Sequence, residues 1–182
     1  ALAPGVSEFK PGMPAHSFHR SIIAGPDGNT WFRQSGAAIG RVTPTGVAAR
    51  FPAGNQVTDL TAGPDGNVWF SLNVVGKGVV GRITPSGTIT KFAGLNPDTL
   101  LSSITAGPDG NLWVTENAGN KIGMINPATH VIAEFAFPTA TWRALTSITA
   151  GPDGNLWFTE GGGLNAKIGE INPVTHLITE FT

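Results

Sequence analysis

Apolar and polar residues alternate along short segments of the chain, and no window of ten or more residues has helical periodicity. Segments 111–116 and 121–125 follow this pattern, and a turn sequence that contains Gly or Pro adjoins each of them. Four such segments recur within each repeat of about 40 residues. The pattern therefore predicts an all-β chain in which each repeat forms four short antiparallel strands joined by hairpins.

A phrase of six residues, Ala-Gly-Pro-Asp-Gly-Asn, recurs with a Trp two positions after it. Pro presets φ and Gly supplies a positive φ, so the phrase predicts a tight turn between the first two strands of a repeat. We expect the Trp side chains to fill the space between neighbouring repeats. The Gly of each Ile/Val-Gly third strand is expected to admit a neighbouring Trp or backbone. The phrases lie at 24–29, 62–67, 106–111 and 150–155, and the aromatic residues are Trp31, Trp69, Trp113 and Trp157.

Four-stranded repeats of about 40 residues are typical of the blades of a β-propeller. We predict one domain, 1–182, with four blades and one surplus strand at the N-terminus, where 5–9 matches the fourth-strand sequence 177–181. The predicted blades are about 19–51, 57–92, 101–135 and 145–181.

The surplus strand leaves three assemblies open. The chain is a segment of a larger ring, or two chains join into an eight-bladed ring, or four blades close alone and leave one strand spare. Exposed strand edges favour association. We therefore prefer self-association or a longer parent to a closed monomer.

Composition excludes several classes of partner. Charged residues make up 13% of the chain, and Lys+Arg (11) nearly balances Asp+Glu (12) without any block of like charge. This argues against a nucleic-acid partner and against a membrane-surface patch. The chain has no Cys, so thiol chemistry is excluded. Because the chain begins at Ala1 rather than Met, we interpret it as a processed or excised form. For a binding or scaffold propeller we favour a secreted or extracytoplasmic location.

The fourth repeat closely resembles the virginiamycin B lyase repeat. The resemblance lies in residues 147–160 and in the later segments Lys-Ile-Gly-Glu-Ile-Asn-Pro and Leu-Ile-Thr-Glu-Phe. The resemblance covers about residues 5–182. It implies a β-propeller, which has seven blades in that family, and a metal-dependent enzyme that opens the lactone of streptogramin B antibiotics by elimination. Members carry a Glu-Pro-His phrase before the first strand of particular blades and a Glu at the end of a Trp-Phe strand. The His and the acids are implied to hold Mg²⁺ and to act as base.

The sequence keeps one part of that implied site. The strand-end acid is present as Glu116 and Glu160, whereas the first two copies carry Gln34 and Leu72. The other two family positions hold different residue types. The His position falls on Arg20, Thr58, Ser102 and Thr146, and the Glu position falls on Phe18, Gln56, Leu100 and Ala144.

Two groups of residues are candidate sites. Glu116 and Glu160 could bind a cation or a polar ligand, the alternative being that both are solvated strand ends. The first blade departs most from the repeat, and its irregular residues could bind an anionic or sugar-like ligand, the alternative being ordinary surface loops. The irregular residues are His19, Arg20, Arg33 and Gln34, together with Trp142 and Arg143 before the fourth blade.

His130 and His176 recur one repeat apart in the turn before the fourth strand. Equivalent positions of adjacent blades lie too far apart to share one ion, so we do not interpret them as metal ligands. The preferred function is a non-catalytic binding or scaffold propeller of unknown ligand and with no assigned cofactor. The alternative is a metal-dependent lyase that uses Mg²⁺, Glu116 and Glu160, and the missing Glu-Pro-His phrase argues against it.

Overall fold

The computed structural model describes residues 19–35, 37–92, 95, 99–117, 119–137, 144–161 and 166–181. The predicted surplus strand 5–9 and the candidates Trp142 and Arg143 lie outside these residues, as does the side chain of His19. No helix within the described ranges is long and apolar enough to cross a membrane.

The described residues form sixteen strands in four antiparallel sheets, each with its strands in chain order. This arrangement confirms the predicted all-β propeller with four-stranded blades. Blade 1 contains β1 (His19–Ala24), β2 (Thr30–Gln34), β3 (Ala38–Val42) and β4 (Ala48–Pro52). Blade 2 contains β5 (Gln56–Ala62), β6 (Val68–Val74), β7 (Lys77–Ile83) and β8 (Ile89–Phe92). Blade 3 contains β9 (Leu101–Ala106), β10 (Leu112–Glu116), β11 (Lys121–Ile125) and β12 (Ile132–Ala136). Blade 4 contains β13 (Ala144–Ala150), β14 (Leu156–Gly161), β15 (Lys167–Ile171) and β16 (Ile178–Phe181).

The repeated phrase forms the predicted turn between the first two strands of each blade. In blade 1 the amide of Gly25 donates to the carbonyl of Asn29 at 2.7 Å, and Gly28 has a φ of 75°. The Asp adds a second role, because its carboxylate accepts a hydrogen bond from the indole of the Trp four residues later, at 2.9 Å between Asp27 and Trp31. In blade 4 hydrogen bonds, above all from Trp157, lower the pKa of Asp153. The turn therefore fixes the orientation of the Trp.

The Trp side chains fill the seams between blades, as predicted. Trp31 is buried in one cluster with Leu60 and Phe70 of blade 2. Trp69 lies in the next cluster with residues of blade 3, and Trp113 lies in the third cluster with residues of blade 4. Each of these three Trp side chains therefore packs against the blade that follows it, whereas Trp157 of blade 4 is in none of the three clusters. The core of the protein is a series of such seams.

The third-strand glycines make room for a side chain of their own blade, so the expected approach of a neighbouring Trp or backbone is wrong. A Cβ on Gly40 would lie 2.3 Å from the ring of Phe32, and one on Gly81 would lie 2.2 Å from the ring of Phe70. Each Phe stands directly across the strand pair from its glycine. In blades 1 and 2 the glycine is required because atoms of the Phe ring occupy the space that a Cβ would fill.

Replacing Gly81 with Ala should lower the free energy of unfolding by about 1–3 kcal/mol, because the buried Phe70 ring must shift within a packed core. Urea denaturation measures this loss. Gly161→Ala is a matched control, since its Cβ would have an ordinary contact of 3.4 Å to the carbonyl of Ala144. If the two variants unfolded at the same urea concentration, the packing argument would be wrong.

The first strands of consecutive blades contact one another, and one carboxylate connects three blades there. Asp59 of β5 accepts hydrogen bonds from the hydroxyl of Ser21 in blade 1 and from the hydroxyl of Ser103 in blade 3, the second at 2.7 Å. It also accepts the amide of Ile104 at 3.2 Å. Asp59 thereby joins blades 1 and 3, which are not neighbours.

Candidate functional site

The irregular residues of blade 1 lie at the ends of β1 and β2 that are farthest from the turn between these strands. Arg20, Arg33 and Gln34 line one cavity of about 250 Å³ at the seam between blades 1 and 2. Blade 2 contributes Gln56 and Val57 to the same cavity. Gln56 occupies the position of the family Glu in blade 2 and is not among the residues predicted as candidates. That position was the signal that could have identified it.

Two arginines face each other in this cavity. Arg20 and Arg33 are direct partners across the antiparallel pair β1–β2. Arg33 is held in place because its Nη1 atom donates to the carbonyls of Val57 and Thr58, at 3.2 and 2.9 Å. Like charges directly opposite each other on a sheet are destabilising. The local arrangement therefore favours a negative charge beside the pair.

The other blades place neutral hydroxyl groups at the same two repeat positions. The hydroxyls of Thr58 and Ser71 are 2.7 Å apart in blade 2, and those of Thr146 and Thr159 are 2.7 Å apart in blade 4. In blades 2 and 4, these two positions therefore form a hydrogen bond between uncharged side chains. The Arg pair is a departure specific to blade 1.

Gln34 adds an unsatisfied polar group to the cavity lining. Its side chain is 3% exposed, and neither Oε1 nor Nε2 has a hydrogen-bond partner within the part of the chain that the structure describes. A buried amide without a partner costs about 1–3 kcal/mol. Blade 2 carries the apolar Leu72 at this repeat position, so burial alone does not require an amide here.

Glu116 and Glu160 are both buried, so the alternative that they are solvated strand ends is wrong. The hydroxyl of Thr99 donates to Glu116 Oε2 at 3.3 Å. Burial, followed by the nearby charge of Glu134, raises the pKa of Glu116 to about 7. Glu134 itself is paired with Lys121 at 2.6 Å between Oε2 and Nζ. Glu116 is therefore a carboxyl group that can exchange a proton near neutral pH.

The acidic residues do not form a magnesium site in the described ranges. Those ranges contain no group of three His, Cys, Asp or Glu side chains that could hold a metal ion. Mg²⁺ requires near-octahedral oxygen coordination, and around Glu116 the neighbouring carboxylate of Glu134 is bound to Lys121. The described residues therefore do not fit the Mg²⁺ that the family resemblance implies.

The two recurring histidines have a packing role. His130 stacks on Phe92 of blade 2 at 4.3 Å between ring centroids, and His176 stacks on Phe135 of blade 3 at 4.2 Å. Each His thus covers the last aromatic residue of the preceding blade. This contact explains the recurrence of His in these turns without a metal.

The profile of the virginiamycin B lyase family matches residues 5–182. Selenomethionine-substituted virginiamycin B lyase from Staphylococcus aureus is a similar solved structure, with 36% identity and a TM-score of 0.83 over 96% of this chain and 58% of that chain. A catalytically inactive variant of the same Staphylococcus aureus enzyme with quinupristin is 37% identical, with a TM-score of 0.80 over 90% of this chain and 55% of that chain. A streptogramin B lyase structure is 34% identical, with a TM-score of 0.79 over 90% of this chain and 54% of that chain. No curated protein sequence gave a match.

The chain spans less than two thirds of the length of these solved structures, 58% of the first. The WD40 repeats of RRP9, at 12% identity and a TM-score of 0.72, share the fold alone. The family match covers all four described blades and includes both strand-end acids, Glu116 and Glu160. The chain therefore belongs to the virginiamycin B lyase family.

Proposed function

We propose that this chain is a non-catalytic binding unit whose cavity between blades 1 and 2 takes the carboxylate or another small anionic group of a ligand. One observation carries the proposal: two arginines face each other across β1–β2 beside the buried amide of Gln34. Arg20 is exposed and reaches the ligand from the outer side, while Arg33 is fixed by the carbonyls of blade 2.

The charges and the donors match an anion. Arginine is a donor that remains protonated, and its planar guanidinium suits carboxylate and phosphate oxygens. The Nε2 atom of Gln34 supplies a further donor to the same ligand, and Gln56 lines the opposite wall. A bound anion would relieve both the repulsion between Arg20 and Arg33 and the desolvation cost of the amide.

The same residues argue against base catalysis at this seam. The resemblance places a His base at the position of Arg20, and an arginine cannot give up its proton in a protein. The equivalent positions in the other three blades are hydroxyl residues, Thr58, Ser102 and Thr146. These blades therefore lack the general base that the family chemistry implies.

A second candidate is a metal-dependent lyase acting on the lactone of a streptogramin B antibiotic. The observation that favours it is Glu116, whose pKa of about 7 suits proton transfer near neutral pH. Its burial and its hydrogen bond from Thr99 argue for a fixed position, which a catalytic carboxyl requires. The relative whose structure contains quinupristin supports the substrate class.

Isothermal calorimetry with citrate tests the anion proposal. The double variant Arg20→Thr/Arg33→Thr installs the residue types of blade 4, so we expect citrate to bind at least about tenfold more weakly. Arg41→Thr/Arg82→Thr is the charge-matched control, because Arg41 lies over Trp31, Arg82 lies over Trp69, and neither lines this cavity. Unchanged citrate affinity in the double variant would contradict the proposal.

Quinupristin with Mg²⁺ separates the two candidates in the same protein. We expect no opening of the lactone when the mixture is followed by chromatography. Opening that Glu116→Gln abolishes would overturn the non-catalytic assignment and support the lyase. Opening of the lactone that survives in Glu116→Gln would also overturn the non-catalytic assignment. It would show in addition that the reaction does not need the carboxyl group of Glu116.

A further inference from the structure

The side-chain amide of Gln34 brings two polar atoms of opposite kind to the cavity between blades 1 and 2. Nε2 is a donor and Oε1 is an acceptor, and neither atom has a hydrogen-bond partner among the residues that the structure describes. The side chain is 3% exposed, so little solvent reaches it. The last torsion of a Gln side chain has a broad energy profile, so the amide can turn towards a ligand in the cavity that it lines.

A carboxylate alone satisfies only half of this amide. The oxygens of an ionised carboxylate accept hydrogen bonds and donate none. Arg20, Arg33 and the Nε2 atom of Gln34 are all donors, so a carboxylate suits each of them. The Oε1 atom of Gln34 would still be buried without a donor, which is unfavourable. The cavity therefore favours a ligand that carries a hydrogen-bond donor next to its carboxylate.

A side-chain amide of this chain makes a two-point contact of this kind one seam further along. Asn73 of blade 2 accepts the backbone N–H of Leu101 at Oδ1, at 2.9 Å, and its Nδ2 atom donates to the carbonyl of the same residue at 3.2 Å. Blade 1 has Ser35 at the repeat position of Asn73, and both Ser35 and Val57 line the cavity. A shorter side chain thus stands where the Asn73 amide joins blades 2 and 3.

The last residue of a peptide presents a similar pair of groups to an amide. Its N–H lies beside its own carboxylate, as the N–H of Leu101 lies beside its own carbonyl. The amide of Gln34 can therefore accept this N–H at Oε1 and donate to one carboxylate oxygen from Nε2. The other carboxylate oxygen remains for the guanidinium groups of Arg20 and Arg33, which stay charged. Both polar atoms of Gln34 then have a partner.

We propose that the cavity binds the free C-terminal residue of a peptide, with the carboxylate on Arg20 and Arg33 and the last N–H on Gln34. This inference rests on the proposed function, because it uses the same two arginines for the anion, and it adds the chemical class of the ligand. The apolar side chains of Ala37 and Val57 line the same cavity, and Val57 is 2% exposed. They favour a small apolar last residue such as alanine.

The cavity has room for such a residue and an exit for the chain before it. Its volume of about 250 Å³ accommodates an acylated alanine. Arg20 and Gln56 are both exposed, so the cavity opens to solvent beside them. The preceding residues of a longer peptide can leave through this opening. A ligand without a free carboxylate, such as a peptide amide or a lactone, should bind weakly.

Small ligands that differ in one group test this proposal, in titrations of the isotope-labelled protein followed by nuclear magnetic resonance. N-acetyl-L-alanine has both the carboxylate and the N–H. O-acetyl-L-lactate keeps the carboxylate but has an ester oxygen in place of the N–H, and N-acetyl-L-alanine amide lacks the charge. We expect N-acetyl-L-alanine to bind at least about tenfold more tightly than either of the others. Its binding should shift the signals of the Gln34 side-chain amide and of the Val57 backbone amide.

Gln34→Leu removes the amide, and blade 2 buries Leu72 at the same repeat position. We expect this variant to bind N-acetyl-L-alanine and O-acetyl-L-lactate with equal affinity, because the acceptor of the N–H is gone. Gln56→Leu is the matched control. Gln56 lines the same cavity but is exposed, so water already solvates its amide and the preference for the N–H ligand should remain about tenfold.

Citrate distinguishes the failure of this inference from the failure of the proposed function. Equal affinity of the unmodified protein for N-acetyl-L-alanine and O-acetyl-L-lactate would overturn the peptide class, whereas citrate binding that depends on Arg20 and Arg33 would still support the anion site. If no carboxylate bound the protein, citrate included, both proposals would be wrong. A preference for the N–H ligand that persisted in Gln34→Leu would contradict the assignment of the N–H to Gln34.

Discussion

Trp69→Ala is expected to lower the free energy of unfolding by about 3–5 kcal/mol, the range for truncating a buried aromatic residue. Trp69 is 0% exposed at the seam between blades 2 and 3, and its ring stacks on Phe92 at 5.2 Å. The truncation opens a cavity in the seam and leaves Asp65 without its indole donor. Because the seams are the core of this fold, the loss should affect the whole chain rather than one blade.

Chemical denaturation followed by circular dichroism measures this loss. Trp69→Phe is the matched comparison, since it keeps an aromatic ring but removes the hydrogen bond of 2.9 Å to Asp65 Oδ1. We expect it to cost less than the Ala variant, about 1–2 kcal/mol. A loss below about 1 kcal/mol for Trp69→Ala would show that the Trp does not hold the seam.

Glu116→Gln should make the protein more stable at neutral pH and remove a pH dependence. The pKa of Glu116 is raised from 4.5 to about 7, so the folded protein binds its proton more tightly than the unfolded chain does. Below pH 4.5 both states are protonated and there is no cost. As the pH rises to about 7 the unfolded chain ionises first, and stability falls by about 3 kcal/mol in total. Above that pH the cost stays constant.

Urea midpoints between pH 4 and pH 8 measure the effect. The unmodified chain should lose stability across this interval, while Glu116→Gln should not show this contribution. Glu116→Leu places the residue of blade 2 at this position and should also remove it, which separates the charge from the hydrogen bond of Thr99. If Glu116→Gln kept the full slope, the buried charge would not be its source.

The blades could be predicted because their signals are local in the sequence. The Pro-Asp-Gly turn and the alternating strand residues lie within a few positions of one another, so they define the hairpin and its register. The burial of Trp31, Trp69 and Trp113 followed from that register. The pairing of Gly81 with Phe70 did not, because the sequence does not reveal which ring lies over a glycine on the next strand.

The site was predicted in part for the same reason. Arg20, Arg33 and Gln34 were identified because they break the repeat, and the strand register brings them together. The burial of Glu116 was not predicted, since it depends on Thr99 and on the space left by Gly123, whose Cβ would lie 2.8 Å from Glu116 Oε1. Such contacts join side chains from separate segments, and strand alternation carries no information about them.

The hydrogen bonds of Asp59 affect the order in which the blades unfold. In repeat proteins each unit contacts only its neighbours, so unfolding can start at an end and proceed unit by unit. Asp59 links blade 1 directly to blade 3 through Ser21 and Ser103. We infer that blades 1–3 form one cooperative unit, in which none can detach without breaking this link. Blade 4 lies outside that link, so its seam with blade 3 can open while the hydrogen bonds of Asp59 to Ser21 and Ser103 remain.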